Sequence, residues 1–260
     1  MSHYKNRVIA ASLLLSTAGA FALPAVVSAE IAVESASGYD VAKITNPASC
    51  ERMAVDSEAF TLLVKGISVR DDAADLEADY PGITRYMVMA MLPLLNQSTE
   101  ETIAELWTDI GGVFDTALTP SERYWMMRLF ESGAGQKLLS SMCANAKIDG
   151  IIDDVMSDDM VIKVETVSKA AEETKKVAVK QAVGNMTTTE KREMEALAPR
   201  AGLPKFAAIR PKIIEIKTAW MNKDDPRYDE QLDKVVADAI DEFMAATDEG
   251  RTPKKLPAEI

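Results

Sequence analysis

Leu118-Thr-Pro-Ser-Glu-Arg-Tyr-Trp-Met-Met-Arg-Leu-Phe-Glu-Ser-Gly133 sets the reading of the fold. Thr119 is a side-chain cap, Pro120 takes the first helical position, where no N–H is needed, and Glu122 closes a capping box. Trp125, Met126, Leu129 and Phe130 recur at three and four, which is the period of a helix burying one face. Gly133 stops that helix. Ser132 caps the next, in which Leu138, Leu139 and Met142 form a new apolar face. Gly133 or Gly135 allows the tight corner between the two helices.

The same period runs outward in both directions. Upstream, Phe60, Leu63, Val64 and Ile67 define a short helix over Ser57 to Ile67. The acidic stretch Asp71 to Asp79 ends in a turn at Tyr80-Pro81-Gly82. Ile83, Met87, Ala90, Met91, Leu94 and Leu95 form one stripe. Ser98, with Glu101 as box partner, then starts a further helix that buries Ile103, Leu106, Trp107, Ile110 and Phe114. Gly111-Gly112 weaken its end. Downstream, residues 149–159 are acidic and turn-like. A long, weakly apolar helix follows from Val161 to about Ala182. Phe206, Ile209, Ile213, Ile216 and Trp220 give the clearest stripe, in which Pro211 marks a kink or the true start. Asp225-Pro226 opens a last helix burying Leu232, Val235, Val236, Ala239 and Phe243. No stretch alternates as a strand does, so the expected class is all-α, a bundle or array of about 7–9 helices. The expected organisation is a loose lead-in over 30–50, a helical unit over 51–148, an acidic turn and bridging helix over 149–185, a second unit over 186–246 and a tail over 247–260.

The chain has 260 residues, 47% apolar, enough for one or two sizeable cores. Aromatics are sparse at 6% and Met is frequent at 14, so the cores are built from aliphatic side chains and Met. A net charge of -12 with no basic stripe disfavours nucleic acid and anionic membrane surfaces.

Residues 1–29 read as a signal peptide. Lys5 and Arg7 form a positive start, Val8 to Ala22 is apolar and uncharged, and Pro24 precedes the small residues of Val27-Ser28-Ala29. Cleavage is expected after Ala29, with Ala20-Phe21-Ala22 as a second choice, or the run stays as an uncleaved anchor. No later apolar run is long enough to span a bilayer. A leader of this kind places the protein in the periplasm or outside the cell. The single histidine, His3, falls inside this leader, so the mature chain lacks the base of a Ser-His-Asp triad or Cys-His pair and the imidazole of common zinc sites. Cys50 and Cys143 remain. In an oxidising compartment they pair as a disulfide, or else they are two buried thiols.

Residues 118–139 and 186–207 align without a gap. Thr119, Glu122, Met126, Leu129 and Lys137 coincide with Thr187, Glu190, Met194, Leu197 and Lys205. Both copies open with the same Thr-x-x-Glu box. Two generic capped helices would produce some of this agreement, and a duplicated helical unit would produce all of it.

Leu118-Thr-Pro-Ser-Glu-Arg123 followed by Leu129-Phe-Glu-Ser-Gly-Ala-Gly-Gln-Lys-Leu-Leu139 resembles a bacterial family of exported helical domains of unknown function. Its core motif reads Leu-Thr/Ser-x-x-Glu, then Phe-Tyr-x-Ser-Pro-x-Gly-Gln-Lys. Tyr80-Pro81-Gly82 with Met87, Met91 and Pro93 resembles the helix that precedes the motif. The likeness covers about residues 76–145. Here Leu129-Phe130 replaces Phe-Tyr, Gly133 replaces Pro, and Ala201-Gly202-Leu203 has lost the turn in the second copy. The resemblance implies export and helices and brings no catalytic residues.

Candidate chemistry is thin. Free amides at the helix start after Ser132, with Gly135, Gln136, Lys137 and Arg123, form a candidate anion-binding site, set against a plain structural corner. Met87, Met89 and Met91 read as core packing rather than a copper site, because residues two apart on a helix point about 200° from each other and their sulfurs do not converge. Asp149, Asp153, Asp154, Asp158 and Asp159 lack the spacing of a calcium loop. Glu105 and Glu122 are the kind of pair a peptidoglycan hydrolase needs, but nothing singles them out. The expectation is an exported, non-catalytic protein without metal or cofactor that binds a protein or envelope component. The alternative is a carboxylate-dependent envelope hydrolase.

Overall fold

The computed structural model describes residues 36–256. The leader expected over 1–29, the first residues of the lead-in and the last four of the tail lie outside the described residues. Within them the chain is all-helical, with no strand. The elements in order are α1 (Gly38–Thr45), α2 (Glu58–Ser68), α3 (Asp71–Asp79), α4 (Ile83–Ala117), α5 (Pro120–Glu131), α6 (Gly133–Ala144), α7 (Asp149–Val155), α8 (Val164–Asn185), α9 (Thr188–Leu197), α10 (Leu203–Met221) and α11 (Pro226–Asp248). Short 3₁₀ turns occupy Ala48–Cys50 and Ala198–Arg200.

The structure holds more and differently divided helices than the apolar period alone indicates. The lead-in contains α1, started by a capping box between Ser37 and Asp40. The acidic stretch before the turn at Tyr80-Pro81-Gly82 is helical as α3, and the first part of the stretch expected as turn-like, residues 149–159, is helical as α7. Ser98 does not start a helix: it is buried in the middle of α4, which runs unbroken past Pro93, Gly111 and Gly112 to Ala117. The stripes on either side of Ser98 pack into two different cores, and burying both favours a continuous rod over a local cap. Pro93 is tolerated because it lies on the exposed side, and the same holds for Pro211 within α10.

The spine α4 crosses both hydrophobic cores. The first core gathers Phe60 and Leu63 of α2, Val88 to Leu95 of α4, Ile151 and Ile152 of α7, Val167 of α8, Ile214 of α10 and Leu232 of α11. The second gathers Val41 of α1, Leu106 to Phe114 of α4, Met126 and Phe130 of α5, Leu139 of α6, Ala178 and Ala182 of α8 and Phe206 of α10. Both cores draw on residues from either side of the 149–185 stretch, so the two helical units do not own separate cores. Where α1 crosses α4 the backbones touch: a Cβ on Gly38 would lie 2.0 Å from the Gly111 carbonyl oxygen. Those glycines are therefore what lets α1 reach its seat.

Candidate functional site

The repeat register determines how the second core is assembled. α4 and α8 end at equivalent positions, Ala117 and Asn185, and each is followed by an extended residue, Leu118 or Met186. Thr119 and Thr187 then cap α5 and α9 with matching boxes, in which each threonine accepts from the backbone N–H of Glu122 or Glu190 at 3.2 Å. The third helices cross over. α6 packs on α8, and α10 packs on α4. The equivalent lysines cross with them: Lys137 Nζ donates to Glu190 Oε2 at 2.7 Å, and Lys205 Nζ donates to Glu122 Oε2 at 2.8 Å. Each unit's lysine thus meets the other unit's capping glutamate. The Lys137 hydrogen bond, with those from the backbone and side chain of Thr187, holds the Glu190 carboxyl down at about 2. Partial burial raises the Glu122 carboxyl, but hydrogen bonds from Lys205 and Thr119 outweigh it and leave the group below the usual carboxylate range.

The two crossed interfaces are not filled alike. At the α4/α10 contact, Phe114 is fully buried and stacks on Phe206 with ring centroids 5.6 Å apart, and Ile209 packs beside them. The repeat register puts Ala182 where Phe114 stands and Ser141 where Ile209 stands. Both small residues are buried where α6 and α8 close together, and a groove of about 400 Å³ runs along that contact. From α6 it is lined by Gln136, Lys137, Ser140, Ser141 and Ala144. Gln181, Ala182 and Asn185 of α8 close the other side. The Ser141 hydroxyl donates to the Ala178 carbonyl at 2.9 Å and ties the helices together below the groove. Lys137 is the one charged residue in the lining, and it also donates to the Asn185 carbonyl at 3.0 Å.

The structure divides the five residues expected to bind an anion. Gln136 and Lys137 line the groove. Ser132 and Gly135 are buried in the α5/α6 corner instead. The Ser132 hydroxyl accepts from the Gly135 N–H at 3.1 Å, which uses one of the amides expected to be free, and a Cβ on Gly135 would lie 2.0 Å from the Leu129 carbonyl oxygen. Arg123 is engaged elsewhere: its Nε donates to the Ala36 carbonyl at 2.8 Å, its Nη1 to the Leu118 carbonyl at 2.7 Å, and it pairs with Asp115. With Lys137 neutralised by Glu190, these five residues do not converge on one anion.

Sequence reasoning missed Ser140, Ser141, Gln181, Ala182, Asn185 and Glu190. The signal was present in the alignment that pairs Lys137 with Lys205 and Glu122 with Glu190, but the crossing of the third helices is a tertiary fact. Cys50 and Cys143 are joined by a disulfide with Cα atoms 5.3 Å apart, linking the 3₁₀ turn to α6. Among the described residues no cluster of His, Cys, Asp or Glu could hold a metal ion, and no helix is long and apolar enough to cross a membrane. Compared with protein-family models, curated proteins and solved structures, the chain matches none.

Proposed function

We propose that the protein is exported, that it catalyses nothing, and that it binds a protein or envelope component in the α6/α8 groove. The carrying observation is the contrast between the two crossed interfaces. The α4/α10 contact is closed by Phe114 and Ile209, while the α6/α8 contact, built on the buried Ala182 and Ser141, carries a groove rimmed by amides and hydroxyls. A mostly apolar concavity with a few convergent polar groups is the usual form of a binding site. Export rests on the leader pattern Lys5, Arg7, Val8 to Ala22 and Val27-Ser28-Ala29, and kinship with the exported family rests on its motif.

The hydrolase reading finds less support. Glu105 is paired with Lys223 and Glu122 with Lys205, and none of the groove residues is a carboxylate. In-cell crosslinking of the tagged protein, followed by mass spectrometry, tests the binding reading. A stoichiometric partner that disappears when Ala144→Trp, at an exposed lining position, covers the groove supports it; attachment unchanged by that substitution refutes it. N-terminal sequencing of the chain from the periplasmic fraction tests export, with Glu30 expected as the first residue.

A further inference from the structure

We infer that the Cys50–Cys143 disulfide is a reversible latch on the buried Glu51–Lys217 pair, opened by a dithiol reductant. The inference is independent of the groove. It starts from adjacency in the chain. Cys50 ends the 3₁₀ turn Ala48–Cys50 and is bonded to Cys143 of α6, and the very next residue, Glu51, is fully buried. Glu51 faces Lys217 of α10, itself buried, with Nζ 3.6 Å from Oε1.

The arc that carries Cys50 and Glu51 is pinned to α4 at both ends. The Asn46 carbonyl accepts from the Trp107 indole N–H at 2.8 Å. At the other end the Asn96 side chain accepts from the Met53 N–H at 2.9 Å and donates to the Met53 carbonyl at 3.0 Å. Between these pins Arg52 makes only a solvent-exposed ion pair with Glu100, which holds weakly, and the disulfide makes the firm tie. The buried pair is a poor tie of its own. Its separation is longer than that of a charge-assisted hydrogen bond, and taking two charges out of water costs more than such a contact returns. Burial dominates at both groups, pushing the Glu51 carboxyl up and the Lys217 ammonium down against their mutual attraction. A covalent bond one residue away therefore keeps Glu51 in a place it would leave for water, and the pins at Asn46 and Met53 confine the release to the arc between them.

Both cysteines are half-buried rather than sealed in the core. In the opening step a thiolate of the dithiol attacks one sulfur, the Cys50–Cys143 bond breaks, and the cysteine released takes a proton. The reductant's second thiol then attacks the mixed disulfide, closes its own S–S bond and frees the other cysteine. Two electrons and two protons pass to the cysteines, and the reductant leaves oxidised.

The test treats the folded, full-length mature protein with dithiothreitol, confirms free Cys50 and Cys143 by iodoacetamide alkylation, and pulses the sample with N-hydroxysuccinimidyl acetate. Peptide mass spectrometry reads acetylation of Lys217, and hydrogen exchange reads the amides. Lys217 should acetylate about tenfold faster or more after reduction, because the lost cross-link lowers the cost of local opening. The Cys50 and Glu51 amides should exchange faster, while those of α5 and α10 and the helical circular dichroism stay as they were. Free thiols with Lys217 still protected overturn the inference. So do cysteines that resist the dithiol in the folded protein, or Lys217 acetylation that comes only with loss of the helical signal, which would make the disulfide a plain staple. The double variant Cys50→Ser with Cys143→Ser should acetylate at Lys217 without reductant; protection equal to the oxidised protein's would likewise overturn it.

Discussion

Glu51 and Lys217 are the most exacting residues in the fold. Both are buried, with Lys217 Nζ 3.6 Å from Glu51 Oε1. Burial pushes the Glu51 carboxyl up and the Lys217 ammonium down, and each charge opposes the shift of the other. Removing one partner strands a buried charge. Lys217→Met should therefore cost roughly 3–5 kcal/mol in urea unfolding, and adding Glu51→Leu should restore most of it. If the single and double variants are equally unstable, the pair does not interact as described. Glu190 gives a pH test. Its folded-state carboxyl lies at about 2, below the ordinary 4.5, so the stability it confers is complete above about 4.5 and is lost as the pH falls toward 2. Lys137→Ala should therefore lower the melting temperature at neutral pH and make less difference near pH 2; a constant gap would count against the crossed pair. At this scale the sequence was informative for caps and poor for burial. Ser132 and Thr119 were legible because a cap acts within three residues. Glu51 was not, because its partner lies far along the chain.

At the scale of elements, stripes and caps located most of the helices, and the departures have common causes. Ser98 has cap chemistry, yet the long-range packing of both halves of α4 overrides it. α1, α3 and α7 are short, and their ends or tertiary contacts decide them more than a local stripe does. The repeat was visible as five identities, while the exchange of α6 and α10 between units was not. Two substitutions test these elements. Thr119→Ala removes the cap of α5 and should cost about 1 kcal/mol. Gly111→Ala places a Cβ 2.8 Å from the Tyr39 backbone nitrogen and should displace α1, costing roughly 1–3 kcal/mol. Hydrogen exchange should show the second loss first in the amides of residues 38–45; uniform acceleration would contradict that assignment.

The whole molecule is tied together by α4, by cores that both cross the central stretch and by lysines that reach from one unit to the other. Lys205, Lys217 and Lys223 pair with Glu122, Glu51 and Glu105, so lysines of the later half meet acidic residues of the earlier half. Such a structure should unfold in one calorimetric transition, because neither unit retains a core without the other; two resolved transitions would show separate domains. Reduction of Cys50–Cys143 should lower stability by up to about 4–5 kcal/mol, the chain-entropy value for so long a loop, without splitting the transition. Function enters at this scale too, as the groove along the α6/α8 contact. The most direct measurement places a photoreactive amino acid at Ser140, on the groove's rim, and irradiates cells producing the protein with and without Ala144→Trp, which fills the groove from an exposed position. One dominant adduct is expected, and the filled variant should lose it while keeping its fold. An adduct that persists in the filled variant would show that the groove is not where the protein binds.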